Sequence, residues 1–263
     1  MSSRSHRKLC HIVEHVYGQW SVLNENWTYM RSLGKSKEFT AALSPSHAAH
    51  VHNAIQNAFM LDTLRELGAL ILDRGEDATS LHHTFRLIKS TGVLEDIRDT
   101  YRVVTAPRSL NSLEPVLQAE VDAMLMKRQL EANRQEFEKL HKRLNEVEAP
   151  VFDTDIAKKI GKSRNKAIAH YDVRRAGEDW KTMTIGDADM NFGDVDAYLP
   201  SCAEAVQVET LFVLRMNIDY ADFKRGFEKN VNEFIDALVR GKKQQEAEKE
   251  ERRKAARQWN AGG

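Results

Sequence analysis

The sequence predicts an all-α protein, and three observations lead to this prediction. Apolar residues recur at three- and four-residue steps over long stretches, as they do in helices with one buried face. The 263 residues include only five prolines, so helix-breaking positions are rare. No stretch alternates polar and apolar residues clearly enough to predict a sheet.

Apolar stripes and the turn residues between them place the helices in order. The predicted helices cover about 9–30, 46–72, 81–88, 93–104, 114–148, 155–171, 201–217 and 221–240. Ser80 is a suitable N-cap for the third helix, and Asp153 or Thr154 for the sixth. Pro150 is expected to stop the 114–148 helix. The segment 175–200 should be loop-rich, with Met183-Thr184-Ile185 as a short extended piece.

One domain over 1–240 is expected, followed by a charged tail over 241–263. Up to Arg257 this tail has seven Lys or Arg and four Glu residues, and it contains almost nothing apolar. Such a composition is typical of a solvated helix or a mobile tail.

Charge and cysteine content exclude several classes of protein. The 39 basic and 39 acidic side chains balance, which excludes a histone-like protein that coats nucleic acid. The two cysteines, Cys10 and Cys202, are far apart and suggest no disulfide framework. No apolar run approaches the length of a membrane helix, so we expect a cytoplasmic protein without a membrane partner.

No metal or cofactor is predicted. His11 and His15 beside Cys10, the group His47, His50 and His52, and the adjacent His82-His83 match no zinc pattern. The phosphate-binding glycine loops and the nucleophile elbow of α/β hydrolases are also absent. Surface or capping histidines are therefore the simpler interpretation.

One segment carries chemistry of a recognisable kind, Ser163-Arg164-Asn165-Lys166-Ala167-Ile168-Ala169-His170-Tyr171-Asp172. A guanidinium binds phosphate oxygens through its planar fork, and an imidazole exchanges a proton near neutral pH. RNA cleavage through the 2′-hydroxyl needs these two functions and no metal. Two other Arg–His pairs at similar spacing, Arg4–His11 and Arg134–His141, lack the Asn after Arg and the Asp after His.

This segment resembles the signature of the HEPN superfamily, in which Arg and a polar residue precede a His. It is most similar to the AbiU-like, abortive-infection branch, as is the stretch from Ala58 to Leu81. The resemblance covers about 46–217. It implies an up-and-down helical bundle, here with extra N- and C-terminal helices, and a metal-independent endoribonuclease of phage defence or toxin–antitoxin systems.

The resemblance also implies roles for individual residues. Arg164 would hold the scissile phosphate, His170 would be the acid and base, and Asn165 would orient one of them. We expect Lys166, Tyr171 and Asp172 to contact the RNA substrate.

An antitoxin of the nucleotidyltransferase type is a further partner that the resemblance implies. In some relatives such a partner modifies a tyrosine two places after the His. Asp172 stands there in this sequence and Tyr171 is one place early, which argues against that form of regulation.

Helix geometry predicts a homodimer. Arg164 and His170 are six residues apart, which is about 240° around a regular helix, so they do not share a face. Cleavage also uses two proton-transfer groups, and the motif supplies one His per chain. A composite site across a twofold axis would meet both requirements. The alternative is a helical module that binds RNA or a protein through the same basic patch and cleaves nothing.

Overall fold

The computed structural model describes residues 4–43, 47–104, 115–163, 173–176, 179–182, 190–217 and 220–261. These residues form nine α-helices and one antiparallel hairpin, so the predicted all-α class is confirmed. The helices are α1 (Arg4–Lys35), α2 (Lys37–Leu43), α3 (His47–Leu72), α4 (Leu81–Ile88), α5 (Thr91–Tyr101), α6 (Pro115–Phe152), α7 (Asp155–Ser163), α8 (Phe192–Leu214) and α9 (Tyr220–Ala261). The hairpin strands are β1 (Val173–Ala176) and β2 (Asp179–Thr182).

The apolar stripe of the first helix is buried, as the spacing predicts. Its members lie on one face of α1 and are Leu9, Ile12, Val13, Val16, Trp20, Leu23, Trp27 and Met30. Burial of an apolar side chain contributes about 1.5–3 kcal/mol, so this stripe fixes which face of α1 points to solvent. The remaining faces carry the charged residues of the helix.

Local hydrogen bonds explain where the predicted helices begin and end. The Ser80 hydroxyl accepts a hydrogen bond from the His83 N–H over 3.1 Å, which confirms it as the N-cap of α4. In the preceding polar turn, the Gly75 N–H donates to the Asp73 carboxylate over 3.0 Å. Thr154 caps α7, where its hydroxyl accepts from the Ala157 N–H over 3.1 Å. Residue 46, where the second predicted helix was expected to begin, lies outside the described residues.

Two predicted boundaries are wrong, the end of the 114–148 helix at Pro150 and the end of the loop-rich segment at residue 200. Pro150 lies within α6, which continues to Phe152, because a proline in the last turn removes one backbone hydrogen bond only. Pro200 is inside α8, which begins at Phe192 after a capping box between Asn191 and Asp194. Burial of the surrounding apolar face of α8 compensates for the proline there.

The hairpin and α2 were missed. β1 and β2 pair from Val173 opposite Thr182 to Ala176 opposite Asp179. With four residues each, these strands are too short for an alternating pattern to identify them. α2 is short as well, and the Ser36 hydroxyl caps it by accepting from the Phe39 N–H over 3.1 Å. The extended piece predicted at 183–185 lies outside the described residues.

The chain divides into two compact units. The first unit comprises Met1–Ser21 and Leu64–Ile218, and the second comprises Val22–Thr63 and Asp219–Gly263. In the second unit, α2 contacts α9, and the rings of Tyr29 and Phe234 lie 5.6 Å apart. The single domain over 1–240 stays a prediction.

The charged tail continues α9 as helix as far as Ala261, with exposed side chains over most of 241–257. Among the described residues, no helix combines the length and the apolar character needed to cross a membrane. The predicted mobility of the 241–263 tail stays a prediction.

Glu209, in the middle of α8, is a fully buried acid. Neither of its carboxyl oxygens has a hydrogen-bond partner among the described residues. The Thr84 side chain lies beside the carboxyl group, but its hydroxyl already donates to the Leu81 carbonyl oxygen over 2.8 Å. Burial raises the pKa of Glu209 to about 8, so the folded protein holds this carboxyl group protonated at neutral pH.

This pKa predicts how stability depends on pH. The ordinary value for the unfolded chain is 4.5, so between that pH and about 8 only the folded chain binds this proton. The contribution of Glu209 to the free energy of unfolding should therefore fall as pH rises through this window, by up to about 1.4 kcal/mol per pH unit. Glu209→Gln should remove this contribution to the slope, because the amide cannot ionise.

Urea unfolding of the wild type and of Glu209→Gln across this window measures the effect. Glu138→Gln, on the exposed face of α6, is the matched control and should keep the wild-type slope. If the free energy of unfolding depends on pH equally in wild type and Glu209→Gln, the raised pKa of Glu209 is contradicted.

Candidate functional site

The predicted site residues lie between α7 and the hairpin, outside the described residues. They are Arg164, Asn165, Lys166, His170, Tyr171 and Asp172. Their predicted roles therefore stay predictions. What the structure describes is the framework on either side of them.

This framework begins with α7, which ends at Ser163, directly before Arg164. Ala157 and Ile160 of α7 are buried, and the helix contacts both α6 and α8. β1 begins at Val173, directly after Asp172. The motif is thus joined at each end to a defined element, and on the helix side to one that is anchored in the apolar core.

α7 has a positive balance of charge. It carries three lysines, Lys158, Lys159 and Lys162, and one acid, Asp155. The Lys158 ammonium lies 3.0 Å from the Asp155 carboxylate, and this hydrogen bond lowers the pKa of Asp155. The helix that leads into the motif therefore favours an anionic ligand.

A cavity of about 340 Å³ lies beside α7 in the first unit. Its lining comes from the end of α3, the following turn, α4, the end of α6, and α7, and consists of Leu72, Arg74, His82, Phe152, Ala157, Lys158 and Gly161. A Cβ atom added at Gly161 would meet nothing within 4 Å, so the glycine leaves open space on this wall. The size is in the lower range of small-ligand sites.

The surroundings of His82 in this cavity disfavour its protonated form. Its ring lies 5.2 Å from the Phe152 ring in an edge-to-face arrangement. Burial lowers the pKa of His82, and the nearby charges of Arg74 and Arg86 lower it further. Its Nδ1 is buried and has no hydrogen-bond partner among the described residues.

The lining can hold an anionic group beside an apolar wall. Arg74 can contact phosphate oxygens, as can Lys158, whose pairing with the exposed Asp155 carboxylate is open to competition from an anion. Leu72 and Phe152 supply apolar surface. A neutral imidazole can accept a proton or a hydrogen bond from a ligand. The lining therefore suits a ligand that has both an anionic and an apolar part.

A second cavity, of about 400 Å³, is less suited to an anion. It is lined by Arg98, Tyr101, Arg102, Leu130, Glu131, Arg134, Phe137 and Glu138. Two of its arginines are already paired, Arg98 with Glu95 at 2.5 Å and Arg102 with Asp99 at 2.8 Å. Two carboxylates in the lining oppose the remaining positive charge.

Sequence reasoning did not identify the cavity beside α7. For His82 the sequence favours a surface or capping role over metal binding, and it places Lys158 in a helix without a functional role. Arg74 stands in the stretch that resembles the AbiU-like branch, which was the single available signal. Among the described residues, no group of three His, Cys, Asp or Glu side chains could hold a metal ion.

Comparison with known families identifies a match. The family model described as AbiU2, of HEPN proteins, matches residues 7–234. This span contains the motif at 164–172, α7 and every residue of the cavity beside α7. It confirms the resemblance and extends it beyond 46–217 at both ends. No curated protein and no solved structure matches the chain.

The arrangement around His82 predicts its titration. Arg74→Gln should raise the pKa of His82, because the imidazolium form loses an unfavourable neighbouring charge. The pKa of His82 in this variant should still lie below that of an ordinary histidine, because burial, the larger cause of the lowered pKa, is unchanged. NMR titration of the His82 ring, assigned with His82→Asn, measures this shift.

Lys139→Gln removes an exposed cation elsewhere on α6 and serves as the control. It should leave the His82 titration unchanged. A His82 that titrates at or above the ordinary histidine value in the wild type would contradict this description of the cavity.

Proposed function

The chain belongs to the AbiU2 family of HEPN proteins, and on that premise we propose that it is a metal-independent endoribonuclease of abortive-infection defence. The observation that carries the proposal is that the family match includes the segment from Arg164 to His170. The positive charge of α7 and the cavity beside it support a polyanionic substrate.

In this proposal the 2′-oxygen of RNA attacks the adjacent phosphorus, and the bond from phosphorus to the 5′-oxygen breaks. His170 takes the proton of the 2′-hydroxyl, and a second acid gives a proton to the leaving 5′-oxygen. Arg164 holds the phosphate and stabilises the charge that develops on its oxygens. The products are a 2′,3′-cyclic phosphate and a 5′-hydroxyl end.

The cavity beside α7 would bind a nucleotide next to the scissile phosphate. Arg74 and Lys158 would contact phosphate oxygens, and Phe152 would contact the base or sugar. Because Lys158 is six residues before Arg164 on the same chain segment, substrate held here would be near the motif.

Wild type and His170→Ala, incubated with total RNA in excess EDTA, test the proposal. We expect fragments ending in 2′,3′-cyclic phosphate from the wild type only, with a loss of at least about 100-fold in rate for His170→Ala, as is typical when a general acid or base is removed. Analysis of the fragment ends is the measurement. Intact RNA with a folded wild type would instead favour the non-catalytic binding module.

A second variant tests the cavity in the same assay. Gly161→Leu would fill the open space on the cavity wall without steric conflict at the Cβ position. It should reduce cleavage, while Gly161→Ala, which removes a helix-interior glycine, should stay active and fold at least as stably. Full activity of Gly161→Leu would exclude the cavity from substrate binding.

We also propose a homodimer with a composite site. The first half of α6 exposes large apolar side chains that would be buried against another copy, namely Val116, Leu117, Met124, Leu125, Met126 and Leu130. The second half of the same helix buries its apolar stripe, including Phe137, Leu140 and Leu144. An exposed apolar surface of this kind is typical of a protein–protein interface.

Light scattering at micromolar concentration should give twice the mass of one chain. Leu117 and Met124 are seven residues apart and lie on the same face of α6. The double variant Leu117→Glu, Met124→Glu should give a monomer with little ribonuclease activity. Lys139→Glu with Lys142→Glu, on the second half of α6, adds the same two acids and should remain a dimer. A wild type that is strictly monomeric would contradict both the dimer and the composite site.

A further inference from the structure

A second basic feature lies on α1, separate in sequence from the 164–172 motif. It is an open groove of about 620 Å³ in the first unit, lined by Arg4, Arg7, Lys8, His11, Ile12, His15 and Thr79. Five of these seven residues are basic. We call this surface the α1 groove.

The basic residues of the α1 groove follow one face of the helix. Arg4, Lys8, His11 and His15 are spaced by four, three and four residues, so they form a row along the helix axis. Neighbours in this row are about 5–6 Å apart, and the whole row is about 16 Å long. This spacing is comparable with that of successive phosphates along a nucleic acid strand.

The row is fixed in orientation and points to solvent. The opposite face of α1 is buried in the core through Leu9, Val13 and Val16. Arg4, Arg7 and Lys8 are exposed, as are His11 and His15. The cations can therefore reach a ligand without any rearrangement of the helix.

Nearby acids cancel only part of the positive charge. The Lys8 ammonium lies 4.0 Å from the Asp77 carboxylate, and His11 Nδ1 lies 3.4 Å from the Glu14 carboxylate. Both pairs are exposed, so solvent screens them and a polyanion can compete. Arg4 and Arg7 have no ion-pair partner within the described part of the chain.

The α1 groove and the cavity beside α7 are both lined by residues from one chain segment, which runs from Arg74 to His82. Thr79 lines the groove, whereas Arg74 and His82 line the cavity. The polar turn between α3 and α4 therefore borders both. An extended ligand in the groove would lie next to the cavity, and the cavity in turn adjoins the helix that leads into the motif.

We propose that the α1 groove binds the phosphate backbone of RNA and positions the strand for the site at 164–172. The choice of RNA as the polyanion rests on the proposed function. Among the described residues the lining contains no Phe, Tyr or Trp, and its three Arg and Lys side chains outnumber the two imidazole rings that could stack on bases. The groove therefore contacts mainly phosphates, and its binding depends little on base sequence.

Binding of fluorescein-labelled oligouridine, measured by fluorescence anisotropy in EDTA over 50–200 mM salt, tests this proposal. All proteins carry His170→Ala, so that no cleavage occurs. Arg4→Gln, Arg7→Gln and Lys8→Gln together should reduce the slope of log Kd against log salt by about 2, at about 0.7 per phosphate contact on a single strand. These side chains are exposed, so circular dichroism should show an unchanged fold.

Arg134→Gln, Lys139→Gln and Lys142→Gln form the matched control, with the same charge change on exposed positions in the second half of α6. The control should keep the wild-type slope. An equal decrease of this slope in the control variant would show that net charge alone drives binding and would overturn the proposal. So would unchanged binding by the groove variant, or no binding by the parent protein at low salt.

The cleavage assay separates this proposal from the proposed function. If binding depends on the groove but wild-type protein, which keeps His170, does not cleave RNA, the proposed groove is supported and the ribonuclease is excluded. If wild-type protein cleaves RNA but binding does not depend on the groove, only the proposal for the groove is excluded. A labelled DNA oligonucleotide of the same length, bound as tightly as RNA, would indicate recognition of phosphate without contact to the 2′-hydroxyl.

Discussion

Helix α8 lies along α6, and aromatic side chains fix the position of the two helices in the first unit. The rings of Phe137 and Phe212 are 5.3 Å apart, and Tyr101 of α5 lies 5.5 Å from Phe137. Tyrosine hydroxyl groups add hydrogen bonds to backbone carbonyl oxygens. Tyr101 donates to Phe212 over 3.1 Å, and Tyr198 donates to Val151 over 2.7 Å. Buried aromatic contacts of this kind contribute beyond their apolar area alone.

The end of α8 shows how strongly this packing constrains the backbone. Arg215 takes a left-handed conformation, with φ of 55°, although it is not a glycine. Its guanidinium lies 4.7 Å above the Tyr101 ring and donates to the Asn133 side chain over 3.3 Å. Such contacts offset the roughly 1 kcal/mol that this conformation costs a residue with a side chain. The cluster therefore defines the C-terminus of the helix as well as its position.

The framework of the candidate site depends on the same packing. Tyr198 bonds to the last turn of α6, and α7 begins three residues after that turn and packs on both helices. The part of the cavity wall formed by Phe152 and by α7 thus lies on elements that the core holds in place, whereas Arg74 lies in the polar turn after α3. A fixed backbone lowers the entropy cost of binding an anion, which favours the role proposed for Lys158.

Sequence alone determined the features that depend on local periodicity and local hydrogen bonds. The stripe from Leu9 to Met30 predicted α1 because helical spacing is a property of neighbouring residues, and Ser80 predicted the start of α4 because an N-cap bonds within three residues. The Arg164–His170 motif identified the family for the same reason, since its members are close in the chain.

Tertiary structure decided what depends on residues distant in the chain. Pro200 reads as a helix boundary, yet burial of the face around it keeps α8 helical. Glu209 reads as a surface acid, and only the packing of α8 shows it to be buried and protonated. Arg74, His82 and Lys158 come together from three separate segments, and Thr79 joins the row on α1 from more than sixty residues away. No local pattern records these contacts, because they form only when the helices pack.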